Sequence, residues 1–413
     1  MSEIITKPIL LDETGKSIVE KFKSIERAIR GEDYNYKEWT LTINTSTYEI
    51  TMSGDVQSWL IYRSKLGRYI VSNDGKARKL NKDNSDLLED GSEHELTNWT
   101  SDQTSDYHIM TRFPNLYFTC VTNSNIVTIT LSEKPFANCK AFGEQWIGSY
   151  IGNVLSDGTL VSRSGLNPTR SKTINSFWTA AQKNGSNWGL SDYRQRQMMM
   201  VIYLCEFLDA NSQKCLGYGM NGNVNNWVPV VQNAITGKTN ILGDRCGKVN
   251  FLETGQTENA AACHVSLFGI EDPYGWYWEF VQGVYFGSSG NTAQTGSECF
   301  IYEGNRMPTS AELTTQPTGW FRKITRLTSG GWIKNLMWGE NMDILPGVIG
   351  GDSATGHGDY SWANDTGQVL LWGGHASHGS LCGLAYSYSS YGWTYAYSAV
   401  GARLAYYGVV DIV

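Results

Sequence analysis

From His375 to Ser398 the chain runs for 24 residues without a single Asp, Glu, Lys or Arg. At the chain's charged fraction of 18%, roughly four would be expected in such a window. Tyr386, Tyr388, Tyr391, Tyr395 and Tyr397 stand there instead, with Trp393, two histidines and many Ser, Gly and Ala. Rigid amphipathic rings give contact area at low entropic cost and small polar residues fit around them, so the tract reads as an adaptable binding surface. The other reading is a Tyr/Ser/Gly-rich loop of a β-rich protein. On the first reading the candidate contacts are the five tyrosines together with His375, Ser377, His378, Ser380 and Ser390.

The rest of the chain sets bounds. At 413 residues it is long enough for two or three ordinary domains or one elaborated one. With 15 Trp, 23 Tyr and 13 Phe it has ample material for a core. A net charge of −7 argues against nucleic acid or an anionic membrane as a partner. No apolar run approaches the roughly 20 residues of a membrane span. The opening MSEIITKPILLDETGKS carries no secretory signal. Eight cysteines without a CxxC pair form neither a zinc pattern nor a disulfide framework. Folding in a reducing cytosol is expected, with release by lysis.

Residues 12–30 predict an amphipathic helix. Ser17 and Glu20 fit a capping box, Ile18, Phe22, Ile25 and Ile29 make a stripe, and Gly31 closes it. So short a stripe needs a partner: the body, an oligomer (a homotrimer is expected) or another protein. From Trp39 to about Ser132 the runs WTLTINTSTYEITM, SWLIYR, GRYIVS, LYFTCVT and NIVTITLS predict strands. Ser191 to Asp209, apolar nearly all round, predicts a buried helix whose methionines are core.

Apart from Trp393, every residue of 375–398 is one that a codon ending in a pyrimidine encodes; Lys, Glu, Gln and Met are missing. Repeated randomisation of AAC or AAT codons at their adenines would give this pattern, and Trp393, whose codon lies out of reach, would then be a fixed anchor. Trp372-Gly-Gly374 and Gly401-Ala-Arg-Leu404 frame the tract. Upstream stand Val161-Ser-Arg-Ser-Gly165, Leu216-Gly-Tyr-Gly219, Pro273-Tyr-Gly-Trp-Tyr-Trp-Glu-Phe-Val-Gln-Gly283, Leu345-Pro with Gly350-Gly-Asp-Ser353, and Asp359-Tyr-Ser-Trp362. In this order, over roughly residues 55–410, the chain resembles the C-type-lectin-fold variable proteins diversified by retroelements. Many of these are phage receptor-binding proteins, and the fold group also holds formylglycine-generating-enzyme-like domains. The segment from Lys7 to Lys16 resembles the opening of phage fibre and baseplate subunits.

The resemblance implies an α+β, C-type-lectin-like fold with small antiparallel sheets and long loops, preceded by a short N-terminal helix. It implies a virion-docking and oligomerising segment over 1–50, then a lectin-like domain over 51–413 with its variable binding face at 371–404. Trp278, Glu279, Trp372, Trp393 and Arg403 are expected to be scaffold. Trp276, Trp278 and Phe280 alternate as in a half-buried strand, and a buried Arg403 would need a carboxylate or carbonyls.

Other chemistry is weakly supported. Gly217-Tyr-Gly-Met-Asn-Gly222 follows a helix and opens none, unlike a dinucleotide fingerprint. His375, His378 and Cys382, with His357, Asp352 and Asp359 upstream, hold zinc-ligand types in a loop spacing that does not favour zinc. Trp362-Ala-Asn-Asp365 and Gln316-Pro-Thr318 each break a calcium-lectin motif by one residue. Cys382 stands alone where formylglycine-generating enzymes use a cysteine pair. The expectation is therefore a non-enzymatic virion fibre protein, without cofactor or metal, that recognises a bacterial surface protein or glycan. Its N-terminus would contact other virion proteins. The alternatives are a virion decoration protein without a host-determining role and, third, a formylglycine-generating-type enzyme.

Overall fold

The computed structural model describes residues 37–97, 106–222, 225–251, 262–291, 293–315 and 321–413. The expected helix over 12–30 lies outside these residues. They form a mixed α+β fold made mostly of strands. Among them, no helix is long and apolar enough to cross a membrane. All eight cysteines are free thiols.

The fold is organised around the strand Val400–Tyr406, of which every residue is buried. Side chains alternate along a strand, so Val400, Ala402, Leu404 and Tyr406 share one apolar cluster while Gly401, Arg403 and Ala405 face the other way. Its first half pairs in parallel with Trp278–Phe280, Glu279 opposite Gly401. Its second half pairs antiparallel with Trp188–Leu190 on that side and with Gln145–Ile151 on the other. Trp278–Phe280 continues to Leu371–Trp372, then to Ser387–Ser389 and Tyr360–Ala363, so the C-terminal tract is stitched into the largest sheet. Trp278 and Phe280 are at most 3% exposed on one face, and Tyr277, Glu279 and Val281 at most 1% on the other, so this strand is covered on both faces and is not the half-buried strand expected.

The helix Tyr193–Phe207 fills the space behind this sheet. Asp192 caps it in a reciprocal box with Gln195, and Leu208 ends it in the left-handed region. Met198, Met199 and Met200 are buried core residues. A second helix, Ile174–Gln182, escaped the sequence reading: Thr173 caps it, and Ile174, Phe177 and Ala181 supply its buried stripe. The run SWLIYR, expected as a strand, lies in a helix, Val56–Arg63. Asp55 caps it, and Ser58, Trp59, Ile61 and Tyr62 are buried at helical spacing.

The expected boundary at residue 50 does not separate a segment from the body. Trp39–Asn44 is no part of a separate tail, because it pairs with Ile50–Gly54 on one side and Ile126–Ser132 on the other. Trp39 is fully buried against Trp59 and Tyr62. The body therefore begins no later than Trp39.

One charged cluster ties helix to sheet. Arg403, wholly buried, donates from Nη2 and Nε to Glu279 at 2.6 and 3.0 Å and from Nη1 to the carbonyls of Gly148 and Ser149 at 3.0 Å each. Arg196 of the core helix donates from Nη2 to Oε2 of the same carboxylate, the oxygen that Arg403 Nε also reaches. Burial opposes the ionisation of Glu279, but Arg403 and Arg196 outweigh it and hold the carboxyl below its ordinary value. Glu279→Gln keeps the shape and leaves two buried guanidiniums uncompensated. It is expected to cost about 3–5 kcal/mol in urea denaturation, the range for breaking a buried pair.

Candidate functional site

Tyr388 projects from the short strand Ser387–Ser389, and its neighbours explain why. Ser387 and Ser389 point inward, where Ser387 meets the Ser361 hydroxyl at 3.1 Å and Ser389 Oγ takes a hydrogen bond from Arg326 at 2.7 Å. With small hydroxyls turned in, the ring between them must turn out. It packs on Tyr391 with centroids 4.7 Å apart and planes within 12°. Tyr391 packs on Tyr395 at 3.6 Å and 7°, and Tyr395 faces Tyr397 at 6.1 Å and 24°. The four rings form a ladder, half-buried except for Tyr397, which is exposed.

The backbone beneath the ladder is pinned at several points. The Tyr391 carbonyl accepts from Gln368 and Val369 N–H, and the Tyr397 carbonyl accepts from Ser171 and Val400 N–H. Trp393 N–H reaches Gln368 Oε1 at 3.3 Å, and its indole stands edge-on to Tyr285 at 6.3 Å. Trp393 is thus half-buried between two apolar clusters, one on the main sheet and one around Tyr285 and Phe300. A pinned loop carrying stacked rings is preorganised, so little freedom remains to be lost on binding.

The expected face over 371–404 is narrower than its sequence window. Trp372, Tyr386 and Val400–Leu404 are buried, and so is His375. Tyr386 and His375 are therefore not surface contacts. Tyr386, fully buried, accepts from Trp278 Nε1 at 3.1 Å and stands 2.9 Å from His378 Nδ1. His375 is 4.3 Å from the His378 ring and is held by the Ser377 hydroxyl, 2.8 Å from its Nδ1. Both histidines pack edge-on against Trp278, which also touches Tyr388 and Tyr391. This layer is a foundation under the ladder. Ser390 is half-buried at its edge, and Ser380 instead lines a cavity of about 590 Å³ beside Asn211, Lys214 and Lys248.

Sequence reasoning missed three rings. Trp362, 39% exposed, lies directly across from Tyr388 in register, with centroids 6.3 Å apart. Tyr360 and Trp332 continue the series at 4.8 and 5.5 Å. The alternation Tyr360-Ser361-Trp362 carried the signal, since period 2 places both rings on one face.

Among the described residues the grouping suited by type to a metal is His264, Glu271 and Asp272, all buried. Its oxygens are already engaged. Glu271 accepts from Gly237 N–H, Thr239 N–H and the Thr239 hydroxyl, and Asp272 accepts from Val265 N–H and meets His264 Nδ1 at 2.6 Å. It reads as a loop clamp. Cys382, buried, donates to the His375 carbonyl, and burial followed by Asp359 pushes its thiol well above the ordinary range, against nucleophilic use.

Burial pushes the His378 imidazole down to about 4, and burial together with His378 pushes His375 down to about 2. Both are neutral in the fold and protonate more readily once unfolded. Their contribution to stability is complete above the ordinary histidine value, about 6.5, and is lost as pH falls below it. Unfolding by urea from about pH 7 to about pH 5 should therefore show a steeper loss in the parent than in His378→Gln. Buried acids such as Asp192 and Asp244, both raised to about 6 by burial, are common to both proteins and cancel from the difference. Equal slopes would show that His378 is not held neutral.

No protein-family model and no curated protein matches the sequence.

Proposed function

We propose that this chain is a recognition subunit that binds its partner noncovalently through the tyrosine ladder Tyr388–Tyr391–Tyr395–Tyr397. The observation that carries this reading is the stacked, charge-free row of half-exposed rings on a pinned loop. Ordered aromatic surface of this kind is costly to leave in water and is typical of contact surfaces. The motif order seen in the sequence supports placing the body among C-type-lectin-like domains of phage receptor-binding proteins. On that reading the chain sits on a virion as a homo-oligomer, carries out no catalytic step, and touches a bacterial surface receptor. Individually weak ladders would then act through avidity.

The test replaces Tyr388, Tyr391 and Tyr395 together by Ser. Ring pairs of this kind are worth about 0.5–1.5 kcal/mol each beyond their burial, so the variant should unfold a few degrees earlier yet keep its near-ultraviolet dichroism. Adsorption to bacteria that bind the parent should be lost. Intact adsorption by the folded variant would move the chain to the alternative role of a virion decoration protein.

A further inference from the structure

The ladder does not stop at the C-terminal tract. Through the register pair Trp362–Tyr388 it runs on to Tyr360 and Trp332, on strands nearly thirty positions or more upstream of Tyr388. The geometry of this longer row also limits how it can be used. Tyr391 lies between Tyr388 and Tyr395 at 4.7 and 3.6 Å, nearly parallel to both, so its two faces are covered by other rings. The interior of the row offers ring edges and phenol hydroxyls. The most exposed rings are Trp362 and Tyr397, at 39% and 46%; Trp362 lies within the row but is not closely stacked, being tilted 43° from Tyr360 and 6.3 Å from Tyr388.

Resting on the recognition role proposed above, we propose that the row from Trp332 to Tyr397 is one elongated site for an uncharged polysaccharide chain lying along it. Three observations favour this occupant. First, none of the ring-bearing residues, and no residue of 375–398, carries a charge, so the tyrosine part of the row offers no ion pair to an anionic or cationic polymer; the exposed Lys334 lies two positions from Trp332, at the far end. Second, the interior hydroxyls are neutral donors and acceptors. Burial, and then the neighbouring Tyr391 phenol, push the ionisation of Tyr388 and Tyr395 above the usual tyrosine range. A row of neutral hydroxyls matches the hydroxyl rim of a sugar chain. Third, the two exposed rings, Trp362 and Tyr397, present aromatic surface for the C–H face of a pyranose, while the closely stacked Tyr388, Tyr391 and Tyr395 cannot be inserted singly into pockets of a protein partner, which is how aromatic anchors gain most of their affinity.

The experiment uses the full chain and bacteria to which it adsorbs, with the cells untreated, oxidised with periodate to cleave sugar diols, or stripped with protease. The expected result is adsorption lost after periodate, kept after protease, and unchanged between about 50 and about 500 mM sodium chloride. Trp362→Ala and Tyr360→Ala should each weaken adsorption by about tenfold. Trp362→Leu, which keeps bulk without an aromatic face, is made beside them so that a folding defect in the alanine variant cannot decide the matter. Adsorption lost to protease and kept after periodate would mean a protein occupant and overturn the proposal. A steep fall with salt would overturn the uncharged chain, and full adsorption by folded Trp362→Leu and Tyr360→Ala would remove the upstream half of the site. Failure of the underlying recognition role looks different: the triple Tyr→Ser variant then adsorbs like the parent under every cell treatment.

Discussion

The contact on which the rest of the molecule leans is the pairing of Glu279 with Arg403 and Arg196. One carboxylate joins three elements: the short strand that carries Trp278, the last long strand, and the core helix. Two of these converge on the tyrosine-rich tract. Trp278 lies directly under the tyrosine rings, and Val400–Tyr406 takes up the chain where the tract ends. A buried ion cluster contributes less to net stability than its Coulomb energy implies, because desolvation offsets much of the attraction. Its stronger effect is on register. Slipping the parallel pair by one residue would turn Glu279 away from Arg403 and leave charges buried without partners.

Above that foundation the layers become progressively softer. The triad and Trp278 are almost fully buried, the histidine and Tyr386 layer is buried and hydrogen-bonded, and the ladder is half-buried. Rigidity passes upward by contact, from Trp278 to Tyr388 and then from ring to ring. The rings pack on the core cluster from its outer side without being part of its buried interior. This is a division of labour in which the sequence that shapes the surface is largely separate from the sequence that stabilises the fold.

Much of this could be read in advance, and the failures have physical reasons. The core helix was legible because a long run that is apolar nearly all round has few other uses, while its capping box of Asp192 and Gln195 emerged only in the structure. The buried pairing of Arg403 followed from its apolar flanks. The helix over Val56–Arg63 was read as a strand because Trp, Ile and Tyr favour strands in isolation, whereas the Asp55 cap and the i, i+3 burial decide otherwise in context. In the tract itself, composition identified tyrosine-rich sequence but could not separate Tyr386 from Tyr388, two residues apart. That difference lies in a hydrogen bond to Trp278 for one and a register partner, Trp362, for the other, and both come from distant segments. Trp362, Tyr360 and Trp332 went unread for the same reason.

The close stacking of Tyr391 between Tyr388 and Tyr395 has a consequence for how such a surface changes over generations. Removing the middle ring uncovers a face on each neighbour, so one substitution alters the chemistry of three positions. The effects of exchanges along the row are then non-additive, as for any residues in direct contact. A surface of independent side chains explores specificities one position at a time; a stacked row moves between them in jumps, with a single exchange sufficient to turn an edge-lined strip into one that displays open aromatic faces.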